Sequence, residues 1–146
     1  MNMRILGPGM GVLFCLIAGS AQAATFVVDT LVDESDGDFS AGDFSLREAV
    51  EQANLDVTAD LITFDPALTS GGAVSIVLGL GQILVSESLT ITGPGQTVLS
   101  ISGNNASRIF FFDDGDVNTF VDIEISGLSL VNGHAMDAAV PSGNGL

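Results

Sequence analysis

The chain contains no lysine, tryptophan or tyrosine, one cysteine, one histidine and three Lys or Arg residues in 146. Each shortage removes a class of function. Three cations against 18 carboxylates give a formal charge of -15. Nucleic acid and anionic membrane surfaces need clustered cations to displace phosphate counterions, so neither is expected as a partner. The only cysteine, Cys15, has no second thiol to pair with. His134, in Asn132-Gly133-His134-Ala135, has no cysteine or acid beside it in triad spacing and reads as polar surface. No serine sits in a G-x-S-x-G setting, which leaves nucleophilic catalysis without support. The absence of Trp and Tyr weakens a carbohydrate-stacking platform. What is present is apolar: 47% of residues are hydrophobic and the mean hydropathy is +0.52, which suits one folded unit and excludes a disordered chain.

The first segment reads as an export signal. Met1 to Arg4 is a short positive start, residues 11–18 (GVLFCLIA) are apolar or small, and Ala21-Gln22-Ala23 is an A-x-A cleavage site. Pro8 and nearby glycines keep the apolar run below the ~18 residues that spanning a bilayer requires. The expectation is a secretory signal peptide over residues 1–23, then an exported, cysteine-free chain with no integral membrane segment. A small exported domain without disulfides needs another source of stability, and long ladders of stacked strands would supply one.

Thr25 to Asp29 (TFVVD) predicts a first short strand, followed by the acidic, glycine-containing loop Asp33 to Asp43 (DESDGDFSAGD). Ser45-Leu46-Arg47-Glu48 is a capping box, S-x-x-E, and predicts a helix over 46–54. Leu46, Ala49, Val50 and Ala53 form one apolar stripe, with Arg47, Glu48, Glu51 and Gln52 expected to face away. After Asp60 the chain reads as short strands at 61–64, 74–78, 83–85, 89–92, 98–102, 109–112, 121–126 and 128–131, separated by turn residues. Phe110 and Phe112 alternate with Phe111 and are expected to point inward. LTITG, LSISG and IEISG form a weak internal repeat ending at Gly93, Gly103 and Gly127, the expected corner positions. An antiparallel sandwich and a solenoid both accommodate these strands. The amphipathic helix favours the solenoid, because an exposed first layer would be an adhesive edge and the helix covers it.

Phe44 to Ala53 (FSLREAVEQA), with the acidic loop before it and Asp60-Leu61-Ile62-Thr63-Phe64 after it, resembles the CSLREA-type N-terminal domain of bacterial surface proteins. The likeness continues through Leu89 to Gly95, Ile101 to Arg108 and Ile125 to Gly133. It implies an all-β, right-handed parallel β-helix with a short N-terminal capping α-helix. The implied parents are polymorphic outer membrane protein-like or autotransporter-like chains, secreted or held at the bacterial cell surface or outer membrane. Phe44 stands where the family's name-giving cysteine is expected and Phe39 where its partner would be, so two apolar rings replace any disulfide. On this reading residues 24–65 are the N-terminal cap and residues 66–146 the first rungs. Val140 to Leu146 (VPSGNGL) is turn-like without a polar cap, and the expectation is the beginning of a longer solenoid.

Two acidic loops are candidates for Ca²⁺, and no other cofactor is expected. The loop with Asp33, Glu34, Asp36, Asp38 and Asp43 offers hard oxygens, and Asp114, Asp116 and Asn118 alternate as ligands could. Neither matches a complete Ca²⁺ loop, and a solvated turn is the simpler reading of both. The expected residues of importance are structural: Ser45, Leu46, Arg47, Glu48 and Ala49 in the cap. The functional expectation is a non-catalytic structural or adhesive module whose partners are host-surface, extracellular-matrix or polysaccharide ligands. The alternative, by fold analogy, is the N-terminal part of a polysaccharide lyase or glycoside hydrolase whose active site lies beyond Leu146.

Overall fold

A computed structural model describes residues 22–116 and 120–135. Nine strands and one α-helix are present among them: β1 (Thr25–Val28), α1 (Leu46–Ala53), β2 (Asp60–Phe64), β3 (Val74–Val77), β4 (Ile83–Val85), β5 (Leu89–Thr92), β6 (Leu99–Ser102), β7 (Phe110–Phe112), β8 (Ile123–Ser126) and β9 (Ser129–Val131). A short 3-10 turn at Pro66–Thr69, started by the Asp65 carboxylate accepting from the Ala67 amide at 2.7 Å, has no counterpart in the sequence expectations. Residues 1–21 of the expected export signal, Cys15 among them, and the chain's last residues, 136–146, lie outside the described residues.

Every strand pairing is parallel, which removes the antiparallel sandwich. The strands form sheets of order β1-β2-β5-β8, β3-β6-β9 and β4-β7. After β1 and α1 the chain visits the three sheets in a fixed order: β2, β3, β4, then β5, β6, β7, then β8, β9. Register brings like side chains into line. Ile62 pairs with Ile91 and Ile91 with Ile125; Ile76 pairs with Ile101 and Ile101 with Leu130. Within these rows Ile62, Ile76, Ile91 and Ile101 are buried in the core.

The glycines at the strand ends are required by close backbone approach. A Cβ on Gly93 would collide with the Gly127 carbonyl, and one on Gly103 would lie 2.5 Å from the Ser107 oxygen. Gly127 also has φ +65, a conformation an L side chain adopts only with strain.

The helix is eight residues long and buries the expected stripe, Leu46, Ala49, Val50 and Ala53, against β1, β2 and β4. It therefore lies across strands of two sheets. Arg47 and Glu48 were expected to face away, yet both are buried. The acidic loop folds over that side of the helix and surrounds their charged ends with polar partners. Phe110 is buried as expected, but Phe112 is 48% exposed. Among the described residues their strand, β7, pairs only with β4, and the Phe112 ring stacks on Phe110 with centroids 6.0 Å apart.

Candidate functional site

The densest polar arrangement lies where the helix, the acidic loop and the turn between β3 and β4 meet. Ser45 caps the helix: its hydroxyl accepts from the Glu48 amide at 3.1 Å and donates to the Glu34 carbonyl at 2.7 Å. The Glu48 carboxylate returns to the Ser45 amide at 3.1 Å. Its other oxygen accepts from the backbone amides of Asp36 and Gly37 at 3.2 and 3.1 Å. One glutamate thus completes the capping box and also fixes the acidic loop, which explains its burial.

Arg47 forms a two-pronged ion pair with Asp33, at 2.7 and 3.1 Å, with both side chains almost fully buried. The guanidinium also donates to the Gly81 and Gln82 carbonyls at 2.7 and 3.1 Å, while Asp33 accepts from the Gly79 and Leu80 amides at 2.7 and 2.8 Å. The pair clamps the β3–β4 turn from both sides and uses the planar fork of arginine to do so. Asn54, at the other end of the helix, donates to the Leu84 carbonyl and accepts from the Ser86 amide, both at 2.9 Å. Asp29 accepts from the amides of Gly42 and Phe44 at 2.7 and 2.8 Å and closes the loop at its base.

Phe39 and Phe44 meet edge to face with ring centroids 5.6 Å apart, and Phe26 joins Phe44 at 6.2 Å. These are the positions where the resemblance would place cysteines, and an aromatic contact holds them together.

The acidic loop divides by environment. Burial, with the charges of Asp43, Asp36 and Glu48, raises the Glu34 carboxyl above its ordinary value. Burial and the charges of Asp36, Asp38, Glu48 and Asp29 do the same to Asp43. Asp38 is held below its ordinary value because its carboxylate accepts from the Ser40 amide.

Of the Ca²⁺ candidates, Asp33 is committed to Arg47 and to backbone amides. Asp114 accepts from the Asp116 amide at 3.1 Å and Asp113 from the Gly115 amide at 3.0 Å, the pattern of a tight turn. Asn118 lies outside the described residues. Among the described residues no group of three His, Cys, Asp or Glu side chains is spaced to hold a metal. His134 is exposed, with its amide on the Ser107 carbonyl at 2.8 Å. Arg108 lies over the Phe111 ring, 5.6 Å from its centroid. No described helix is long and apolar enough to cross a membrane.

Two polar side chains of the site escaped the sequence reading. Asn54 appeared there only as a helix end. Asp60 begins β2 in the same phase as Ile62 and Phe64, and a charge in the buried phase of a strand was the signal available.

Comparison with protein-family profiles, curated proteins and solved structures returned no match.

Proposed function

We propose that the chain is the N-terminal capping module of a right-handed parallel β-helix, exported by a bacterium and serving a non-catalytic structural or adhesive role outside the cell. The observation that carries this reading is the difference between the two ends of the stacked sheets. At one end α1 lies across β1, β2 and β4 and is held by the Arg47–Asp33 clamp. At the other, β7, β8 and β9 are the last strands of their sheets among the described residues, with Phe112, Leu130 and Val131 exposed. A cyclic succession of three parallel sheets suits a solenoid, and right-handed crossovers are the general preference between parallel strands. The FSLREA segment supports the same assignment, because its serine, arginine and glutamate are the groups that hold the cap in place. The open end suits continued growth by parallel strands of the same kind, and the lateral faces would carry adhesion to host-surface, matrix or polysaccharide ligands.

Expression of the full chain in a bacterium, with cell fractionation, tests the export reading. The protein is expected outside the cytoplasmic membrane, and retention in the cytoplasm would overturn the proposal. Incubation of the exported protein with polygalacturonate and Ca²⁺ tests the non-catalytic part. Neither unsaturated ends absorbing in the ultraviolet nor new reducing ends are expected, and either would favour a lyase or hydrolase.

A further inference from the structure

Asp60 occupies a position that the pattern of its strand assigns to an apolar side chain. It alternates with Ile62 and Phe64 on the buried face of β2, pairs in register with the buried Leu89, and is itself 1% exposed. A buried carboxylate requires hydrogen bonds or a counter-charge. One of its oxygens accepts from the Ala24 backbone amide at 2.6 Å and lies 3.2 Å from the Thr58 hydroxyl. Its other oxygen is buried with no hydrogen-bond partner. The two described arginines are engaged elsewhere, Arg47 with Asp33 and Arg108 over Phe111.

Ala24 is also the residue that follows the A-x-A sequence Ala21-Gln22-Ala23. We infer that Asp60 is the receptor for the α-ammonium group created when the peptide bond between Ala23 and Ala24 is cleaved. The inference rests on the export reading above and adds a structural consequence to it.

The chemistry is hydrolysis. The C–N bond breaks, water gives its hydroxyl to the Ala23 carbonyl carbon and a hydrogen to the Ala24 nitrogen, and at neutral pH the new acid's proton passes to the amine. A neutral amide with one donor becomes a cation with three. The nitrogen already lies on Asp60, so the positive charge forms against the buried carboxylate, and the added donors can serve the unpartnered oxygen. Ala24 is held in position by its own carbonyl, which accepts from the Leu61 amide at 2.9 Å as part of the β1–β2 ladder. Processing thus anchors the start of the first strand: before cleavage one oxygen of the buried Asp60 carboxyl has no partner, and afterwards the group is one side of an ion pair.

The test uses the full chain exported from a bacterium, with intact mass measured on the product. A product beginning at Ala24 is expected. A second version carries Gly-Ser inserted after Ala23, which moves the new amine two residues away without changing any residue of the fold, and both versions are made with Asp60 and with Asp60→Asn. With Asp60 present, the insertion is expected to lower Tm by roughly 5 °C. With Asp60→Asn it should change Tm by no more than about 1 °C. The benefit of the correct terminus should be full at neutral pH and fade as pH rises through the amine's value, which pairing raises above the ordinary figure of about 8. Equal melting of the two versions, in a protein shown to begin at Ala24, would overturn the inference and leave the export reading intact. A product that begins elsewhere, or retains the leader, would overturn the cleavage site and the inference together.

Discussion

The two ends of this molecule are built from the same kind of strand and differ in what covers them. At the α1 end, Leu46, Ala49, Val50 and Ala53 close the core, and Arg47 and Glu48 tie the covering elements down by backbone hydrogen bonds. At the β8 and β9 end the alternation persists, but Ile123 and Ile125 are only partly buried, Phe112 and Leu130 are about half exposed, and Phe120 is 94% exposed. Strand pattern alone does not bury a residue in a parallel stack. Burial comes from the neighbours on both sides, and among the described residues β8 and β9 have a paired strand on one side only.

The sharpest test of that contrast is Arg47→Ala. It leaves Asp33 buried without its counter-charge and releases the β3–β4 turn, with an expected loss of about 3–5 kcal/mol in urea unfolding. Leu130→Ala at the open end should cost well under about 1 kcal/mol by the same measurement. If the two losses were equal, the cap would not be the stronger end.

Within the core, Ile91→Ala is expected to cost about 2–5 kcal/mol, because Ile91 is flanked on both sides by isoleucines in register. Ile125, partly buried in the last strand of the same sheet, should lose distinctly less on truncation to alanine. Matched losses would show that Ile125 is covered as fully as Ile91.

Ser45→Ala removes the cap's hydroxyl and should cost about 1 kcal/mol, and the double change with Glu48→Ala should also expose apolar surface to a hydrophobic dye. Unchanged melting and dye binding in the double variant would remove the capping role.

The smallest effect concerns the acidic loop. Glu34 and Asp43 have folded values raised above 4.5 and 3.8, so their repulsion is present at neutral pH and is relieved as pH falls through the raised values. Asp38 and Asp56 have lowered values, each held down by bonds from a nearby residue, and their contribution is kept above the ordinary value of 3.8 and lost as pH falls through the folded one. Tm is therefore expected to rise slightly as pH falls from neutral through the raised values and to fall again once the lowered ones are reached, and Glu34→Gln should flatten the rise. A Tm that only falls on acidification would contradict the crowding of these carboxylates.

Much of the local structure was legible in advance. The capping box placed α1 within a residue of its observed end, and the expected strands at 83–85 and 89–92 match β4 and β5 to the residue. Both signals are local: one hydroxyl and one carboxylate three residues apart, and side chains alternating along a few residues. The polar site was less legible. Asp33 reaches amides 46 and 47 residues away, and no local pattern marks it as the partner of Arg47 and not as one more loop acid. Periodicity put Glu48 on the outer face because it cannot register a loop that folds over that face and supplies two amides.

By itself the sequence determined where most of the strands and the helix lie, where the helix begins, that the strand-ending glycines at 93, 103 and 127 mark corners, and that cations are scarce. Those properties follow from backbone sterics, side-chain periodicity and composition, all of which act over a few residues. The tertiary structure alone decided that the strands pair in parallel in three sheets, which acids are spent on backbone groups, and that Asp60 waits beside Ala24 with one oxygen unused. Pairing and desolvation depend on groups brought together from distant parts of the chain, and a polar group's role is settled only when the water around it is replaced by a particular neighbour.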